Sequence, residues 1–329
     1  MAYIRAISTF TPPIFVKNNE LKEFFPDVDK IAKGVGVNQR YVAEESQTAS
    51  DMAYVASCNL FNEYNIKPQL IDFIIFSTQS PDHFLPSTAC ILQHRLGIPT
   101  TSGAFDFDLG CSGYTYGLAI ANSFIESGLA KNVLLLTGDT ISKYLHEKDK
   151  NRILFGDSAT ATLVSTSGFA EIGKTVYGTD GSGADNLIVR NRASRNLKLT
   201  GFEEEDAEGN IRRDDYFYMN GEAIFNFTID IVPTLIEETA HKNQINSEDV
   251  DYYVFHQANK FMLNTIRKVC RISKDKFYIN LENTGNTTSS TIPIGLKDCL
   301  NNGIIGSGQK VMVAGFGVGL SWAATILKF

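Results

Sequence analysis

Cysteine is scarce in this chain: five among 329 residues, odd in number and scattered at Cys58, Cys90, Cys111, Cys270 and Cys299. No pair has the C-x-x-C spacing of a zinc or redox site, and so few thiols argue against a disulfide framework. A reducing cytoplasm is the setting this usage predicts. Excess positive charge is missing too. With 30 Lys and Arg against 37 Asp and Glu, the net charge is −7, and the chain lacks the basic footprint of a nucleic-acid binder. The opening MAYIRAISTFTPP has no apolar core of signal-peptide length. The most apolar stretch, Val311–Leu327, is broken by Gly315, Gly317 and Gly319. Those glycines disfavour a membrane-spanning helix and predict two buried strands around a tight turn. A soluble protein is expected. What remains is ordinary globular composition, 43% hydrophobic and 20% charged, with length for two lobes of similar size.

Two lobes are visible as an internal repeat. IDFIIFSTQ at Ile71–Gln79 resembles VDYYVFHQA at Val250–Ala258, an offset of 179 residues. GLAIANSFIESGLAKNVLLL at Gly117–Leu136 lies against GLKDCLNNGIIGSGQKVMVA at Gly295–Ala314, an offset of 178. Two matches at nearly one offset indicate a duplicated unit of about half the chain. Each unit has the same order: a helical segment (Ala49–Glu63; Ala223–Lys242), a buried strand, a second helix and a second strand (Val133–Thr137; Val311–Ala314). That alternation predicts α/β layers. Ser50–Asp51 is expected to cap the first helix, and Ser247 to lie in a polar turn before the second unit's strand. Between the units, residues 177–218 are less regular, and the acidic run EEEDAE at 203–208 reads as a solvated loop. A long loop at this place is also suited to covering a site.

One cysteine sits at a particular junction. In DFDLGCSGYTYGLAIA, Asp106–Ala121, Cys111 follows a predicted strand (Ala104–Leu109) and precedes a helical pattern of Tyr114, Leu118, Ala121 and Ile125, with Gly128 as its stop. Unpaired N–H groups and the helix dipole at that end favour an anion, and so a nucleophilic thiolate. Taken alone, the pattern fits a small buried cysteine as well as a nucleophile. Partners come from the second unit. His256, in FHQAN, ends its buried strand, and Asn286 lies in the turn-rich run ENTGNTT, 282–288. Cys111 shifted by 178 is Ser289, so duplication sets the two runs face to face and brings His256 and Asn286 toward the cysteine.

With these residues in place, the chain resembles the thiolase-fold condensing enzymes, and among them the β-ketoacyl-acyl-carrier-protein synthases III. The resemblance runs through GVGVNQRYV (Gly34–Val42), LPSTACILQHRLGI (Leu85–Ile98), DLGCSGYTYGL (Asp108–Leu118) and LFGDSATAT (Leu154–Thr162). It continues through MNGEAIFNF (Met219–Phe227), FHQAN, NTGNTTSSTIP and GFGVGLSW (Gly315–Trp322). It implies a duplicated five-layered αβαβα fold, divided as 1–170 with the nucleophile and 171–329 with the His and Asn, a loop insertion lying near 177–218. A homodimer is implied as well.

The resemblance also implies a decarboxylative Claisen condensation with no metal or other cofactor. Cys111 would take an acyl group from a coenzyme A or acyl-carrier-protein thioester. His256, neutral with its proton on Nε2, and Asn286 would donate to the carbonyl of a malonyl thioester as it loses carbon dioxide. The backbone N–H groups of Cys111 and Val318 would form the oxyanion hole. Leu85, Phe155 and Leu187 align with acyl-pocket positions, although ordinary core packing explains Phe155 and Leu187 equally well. Lys260, Arg267, Lys268 and Arg271 would offer a cationic patch to an acidic carrier protein, or a merely solvated helix face.

Departures from the family pattern bear on the substrate. Lys30 stands where an aromatic residue stacks on adenine, Gly34 and Asp149 stand where arginines are expected, and Phe261 replaces a basic residue. Losing stacking and charge weakens the expectation of coenzyme A as primer carrier. Leu85 stands at an often aromatic position expected at the dimer interface, leaving room for a primer other than acetyl. Val318 replaces a glycine and keeps its N–H, provided its φ suits a β-branched residue. A specialised lipid or secondary pathway accommodates these changes. Two further readings are acyl transfer to an alcohol or amine without decarboxylation and, as a minor alternative, a non-catalytic partner subunit.

Overall fold

The computed structural model describes residues 1–205 and 211–329. Its main sheet has ten strands: β1 Tyr3–Phe10, β2 Phe73–Ser77, β3 Gly103–Phe107, β4 Asn132–Asp139 and β5 Ser158–Ser165, then β6 Ala170–Ile172, β7 Val176–Thr179, β8 Tyr252–Phe255, β9 Lys310–Gly317 and β10 Ser321–Lys328. Among the described residues, seven α-helices accompany them: α1 Val28–Val35, α2 Ala49–Glu63, α3 Thr88–Arg95, α4 Gly113–Glu126, α5 Gly221–Lys242, α6 Lys260–Val269 and α7 Thr291–Asn301. The strand order is β8-β9-β10-β6-β1-β5-β4-β2-β3, with β7 also paired to β10.

This order is two wings meeting at a short antiparallel seam, where Tyr3 faces Glu171 and Ile4 faces Ala170. In one wing β2 runs parallel to β3 and β4, and β4 antiparallel to β5. In the other, β8 runs parallel to β9, β9 antiparallel to β10, and Tyr253 bridges Phe277 as β2 pairs with β3. The repeat seen in the sequence is therefore a repeat of sheet wings. Helices α4 and α7 touch strands of both wings and form the central layer. The α2 helix covers the outer face of the first wing and α5 that of the second. Burial follows the layers: Met52, Leu60 and Ile74 pack outside the first wing, Tyr114, Leu118 and Ile292 between the wings, and Leu235, Phe255 and Met262 outside the second. The result is the expected αβαβα stack.

Local details differ from the sequence reading in instructive ways. Thr48 caps α2, not Ser50–Asp51: its hydroxyl accepts the Asp51 N–H at 3.2 Å while the Asp51 carboxylate takes the Thr48 N–H at 3.0 Å. Ser50 lies buried inside the helix and bonds Asp82 at 2.6 Å. The strand before Cys111 ends at Phe107, because residues 108–112 turn to bring the cysteine under the sheet's carboxyl end. The glycine-broken segment forms the β9–β10 hairpin, with Gly317 opposite Ser321. In the connecting stretch, Glu203–Glu205 is not loop but an exposed strand paired with Ile211–Arg213, where Glu204 meets Arg212 at 2.9 Å. The rest of that acidic run, 206–208, lies outside the described residues. Among the described residues no helix is long and apolar enough to cross a membrane.

Candidate active site

Cys111 sits between β3 and α4, one residue before the helix cap Ser112. The Ser112 hydroxyl lies 2.7 Å from that of Ser321, fixing the turn to the β9–β10 hairpin of the other wing. Close approach explains the glycines there. A Cβ on Gly317 would stand 2.6 Å from the Cys111 sulfur, and one on Gly315 would strike the Cys111 carbonyl oxygen. Gly317→Ala is therefore expected to displace the thiol and slow its reaction with an acyl donor about 10²-fold. Equal acylation rates, read by protein mass against time, would show that this approach is not needed. Val318 at the hairpin tip is not among the residues with positive φ, so its branched side chain is tolerated.

The FHQAN run assigns each residue a place. The His256 N–H extends the β8–β9 pairing to the Ala314 carbonyl at 2.8 Å, and its ring turns inward, 1% exposed. Gln257 donates to the Phe255 carbonyl at 2.7 Å and accepts the Asn280 N–H at 3.0 Å. Asn259 caps α6 by accepting the Met262 N–H at 2.8 Å. Asn286 is fixed through its backbone, its N–H on the Leu154 carbonyl at 2.9 Å and its carbonyl taking the Gly156 N–H at 3.0 Å. Its side chain donates one Nδ2–H to the Ala258 carbonyl at 3.3 Å and accepts the Thr288 N–H on Oδ1 at 2.9 Å. One N–H of that amide is left over.

Cys111, His256 and Asn286 converge on one small cavity of about 60 Å³, whose walls include Phe155, Leu187, Ile224 and Phe316. The cavity is largely apolar, and that sets the charges. Burial pushes the Cys111 thiol up to about 11; the Val318 N–H pulls it down and the Asp139 carboxylate pushes it up. The thiol therefore rests protonated, contrary to the expectation that the helix end alone would favour a thiolate. Burial also pushes His256 down to about 3, so its imidazole is neutral. The Thr291 hydroxyl lies 2.8 Å from His256 Nδ1 and 3.0 Å from the Thr288 carbonyl. That hydroxyl donates its single proton to the Thr288 carbonyl, so the ring donates from Nε2 only when the hydroxyl turns this proton to Nδ1 instead.

A groove of about 590 Å³ shares Asn259 with this cavity and holds Phe24, Lys30, Gly34, Lys150 and Phe261. Lys30 and Gly34 line this one groove, and Asp149 turns aside to cap residues 150–153. Phe261, 62% exposed, stacks on Phe225 at 5.4 Å. Lys260 is exposed at the start of α6, beside this groove; Arg267, Lys268 and Arg271 lie about 10 Å or more along the helix. Arg267 is partly used, donating to the Ile272 carbonyl at 3.1 Å. The four cations do not form one cluster at the groove. Leu85 is 82% exposed and apart from the Cys111 cavity within this chain. Sequence reasoning missed Asp139, Thr288 and Thr291, whose only signal was polar residues in otherwise buried segments.

Comparison with known proteins adds a second line. The family model for the 3-oxoacyl-[acyl-carrier-protein] synthase III C-terminal region matches residues 240–329, and that for 3-oxoacyl-[acyl-carrier-protein] synthase III matches residues 105–181. A β-ketoacyl-[acyl-carrier-protein] synthase III of Caldanaerobacter subterraneus subsp. tengcongensis is 35% identical, covering 100% of this chain and 98% of the relative. One from Clostridium perfringens is 37% identical over 97% of this chain and 96% of its own. A crystal structure of a 3-oxoacyl-(acyl-carrier-protein) synthase III superposes with a TM-score of 0.96 at 44% identity, covering 100% of this chain and 99% of the other.

Proposed function

The chain belongs to the 3-oxoacyl-[acyl-carrier-protein] synthase III family, and from that premise we propose that it is a transferase joining a Cys111-bound acyl group to a malonyl thioester with loss of carbon dioxide. The observation that supports this most is the meeting of Cys111, His256 and Asn286 at one cavity.

Each step balances on these residues. The Cys111 sulfur bonds the acyl carbon as the carrier's C–S bond breaks, and the thiol proton leaves on the carrier sulfur. A malonyl thioester then enters by the groove. As carbon dioxide departs, negative charge grows on the thioester oxygen, where His256 Nε2–H and the free Asn286 N–H would meet it. The resulting carbanion attacks the acyl carbonyl. The N–H groups of Cys111 and Val318 would hold its oxyanion until the Cys111 C–S bond breaks and the thiolate takes up a proton. Phe155 and Leu187 would flank the acyl chain.

The same reading includes two halves meeting near residue 170, a homodimer whose Leu85 loop reaches the partner's site, and a cytoplasmic setting. The altered positions Lys30, Gly34 and Phe261 favour a carrier-protein thioester over coenzyme A as primer donor, and Lys260 is the cation best placed to meet an acidic carrier.

Incubation with coenzyme A and carrier-protein thioesters tests the reading, with acyl mass on the intact protein as readout. Because the thiol sits near 11, acylation is expected to quicken about tenfold per pH unit between pH 7 and 10. A pH-independent rate would mean that the thiol is deprotonated by a partner other than solvent.

A further inference from the structure

Asp139 ends β4 with 1% exposure, and the proposed reaction makes no use of it. One carboxylate oxygen accepts the Gln79 N–H at 2.7 Å. The other accepts the Ser289 hydroxyl at 2.8 Å and the Thr288 hydroxyl. All three partners donate, which suits an ionised acceptor.

Thr288 is the more unusual of those partners. Its φ is 51°, a left-handed conformation that β-branched side chains avoid. From there its N–H reaches Asn286 Oδ1 at 2.9 Å and turns the amide so that Nδ2 can donate. Its carbonyl holds the Thr291 hydroxyl, the group beside His256 Nδ1. One residue thus orients the Asn286 donor of the cavity and touches the hydroxyl beside His256, and a buried carboxylate anchors that residue from a strand of the other wing.

We infer that Asp139 and Thr288 act together as the positioning unit for the Asn286 amide, so that decarboxylation, far more than acylation, depends on them. This rests on the condensing activity proposed above. The groups facing Asp139 are the Cys111 thiol and Asp108 from the β3–α4 connection, Tyr144 from the segment after β4, and hydroxyls from 288–289. None of them is a cation. Burial lifts Asp139 to about 6, so the anchor is ionised at pH 8 and becomes a carboxylic acid as pH falls through that value. A protonated acid turns an O–H toward groups that also donate, and one bond is lost. Its negative charge also raises the neighbouring thiol, so removing it has the opposite effect on acylation.

The test measures the two half-reactions separately from pH 5 to 9. Acylation is followed by protein mass, and condensation by product formed from preisolated acyl-enzyme and malonyl thioester. Wild-type condensation is expected to fall below an inflection near pH 6, a readout that needs no variant. Asp139→Asn and Thr288→Val are expected to lose about 10²-fold in condensation, the scale of one misplaced donor. In Asp139→Asn the inflection disappears and acylation quickens, its onset moving to lower pH. Thr288→Ser, which restores the hydroxyl, recovers most of the rate lost in Thr288→Val. Equal loss of both half-reactions, unchanged condensation, or an inflection that survives in Asp139→Asn would overturn the inference. A wild-type protein that forms no acyl-enzyme would overturn the reading beneath it, and the inference with it.

Discussion

Replacing Cys111 with alanine is expected to leave a protein that carries no acyl group after exposure to any thioester, with condensation lowered by on the order of 10³-fold or more. The change removes one sulfur atom from a half-buried side chain that faces a cavity. Its cost in stability is about 1 kcal/mol or less, and the unfolding midpoint moves little. The donors remain in place. His256 and Asn286 keep their contacts with Thr291, Ala258 and Thr288, none of which involves the sulfur. Slow release of carbon dioxide from malonyl thioester is therefore expected to persist in the variant while carbon–carbon bond formation stops. Full condensing activity in Cys111→Ala would remove the nucleophile from the account. Loss of both activities together with a large drop in unfolding temperature would assign the cysteine to the fold instead.

The opposite split is expected on the other side of the cavity. His256→Ala and Asn286→Ala should each lower decarboxylation by about 10²- to 10³-fold, because each removes a donor fixed before charge develops. Acylation should change by less than about tenfold, since neither side chain is needed to make the sulfur–carbon bond. Removing both should cost less than the product of the single losses, since the two act on one oxygen. Asn286→Asp is the sharper probe. It keeps the shape and can still accept the Thr288 N–H, but it replaces the free donor with negative charge beside a developing enolate. Transient kinetics of acyl loading and carbon dioxide release separate the two steps. Equal damage to both would mean that the histidine and asparagine serve acylation as much as decarboxylation.

The architecture was legible because duplication left a trace. Ile71–Gln79 and Val250–Ala258 are strands at equivalent places in two sheet wings, and their common offset aligned Cys111 with the 286–290 turn before any contact was seen. The glycines at 315 and 317 were legible as breakers of a helix, though not as the clearance that Cys111 needs. What escaped were interactions between residues far apart in the chain. Asp139 and Thr288 are separated by 149 positions, and neither carries a local pattern that marks it. The charge state of Cys111 depends on contacts of the same distant kind. A helix start is local and visible, whereas burial and a carboxylate from another strand are supplied by packing. The α2 cap was missed by a smaller margin: Thr48, Ser50 and Asp51 are all good capping residues, and only the hydrogen bonds select Thr48.

The most direct measurement adds malonyl thioester to isolated acyl-Cys111 protein, free of primer donor, and counts carbon dioxide and acyl products by mass in a single turnover. The account predicts one carbon dioxide and one 3-oxoacyl thioester for each acyl group lost from Cys111. Departure of the acyl group to water, an alcohol or an amine, with no carbon dioxide released, would contradict it.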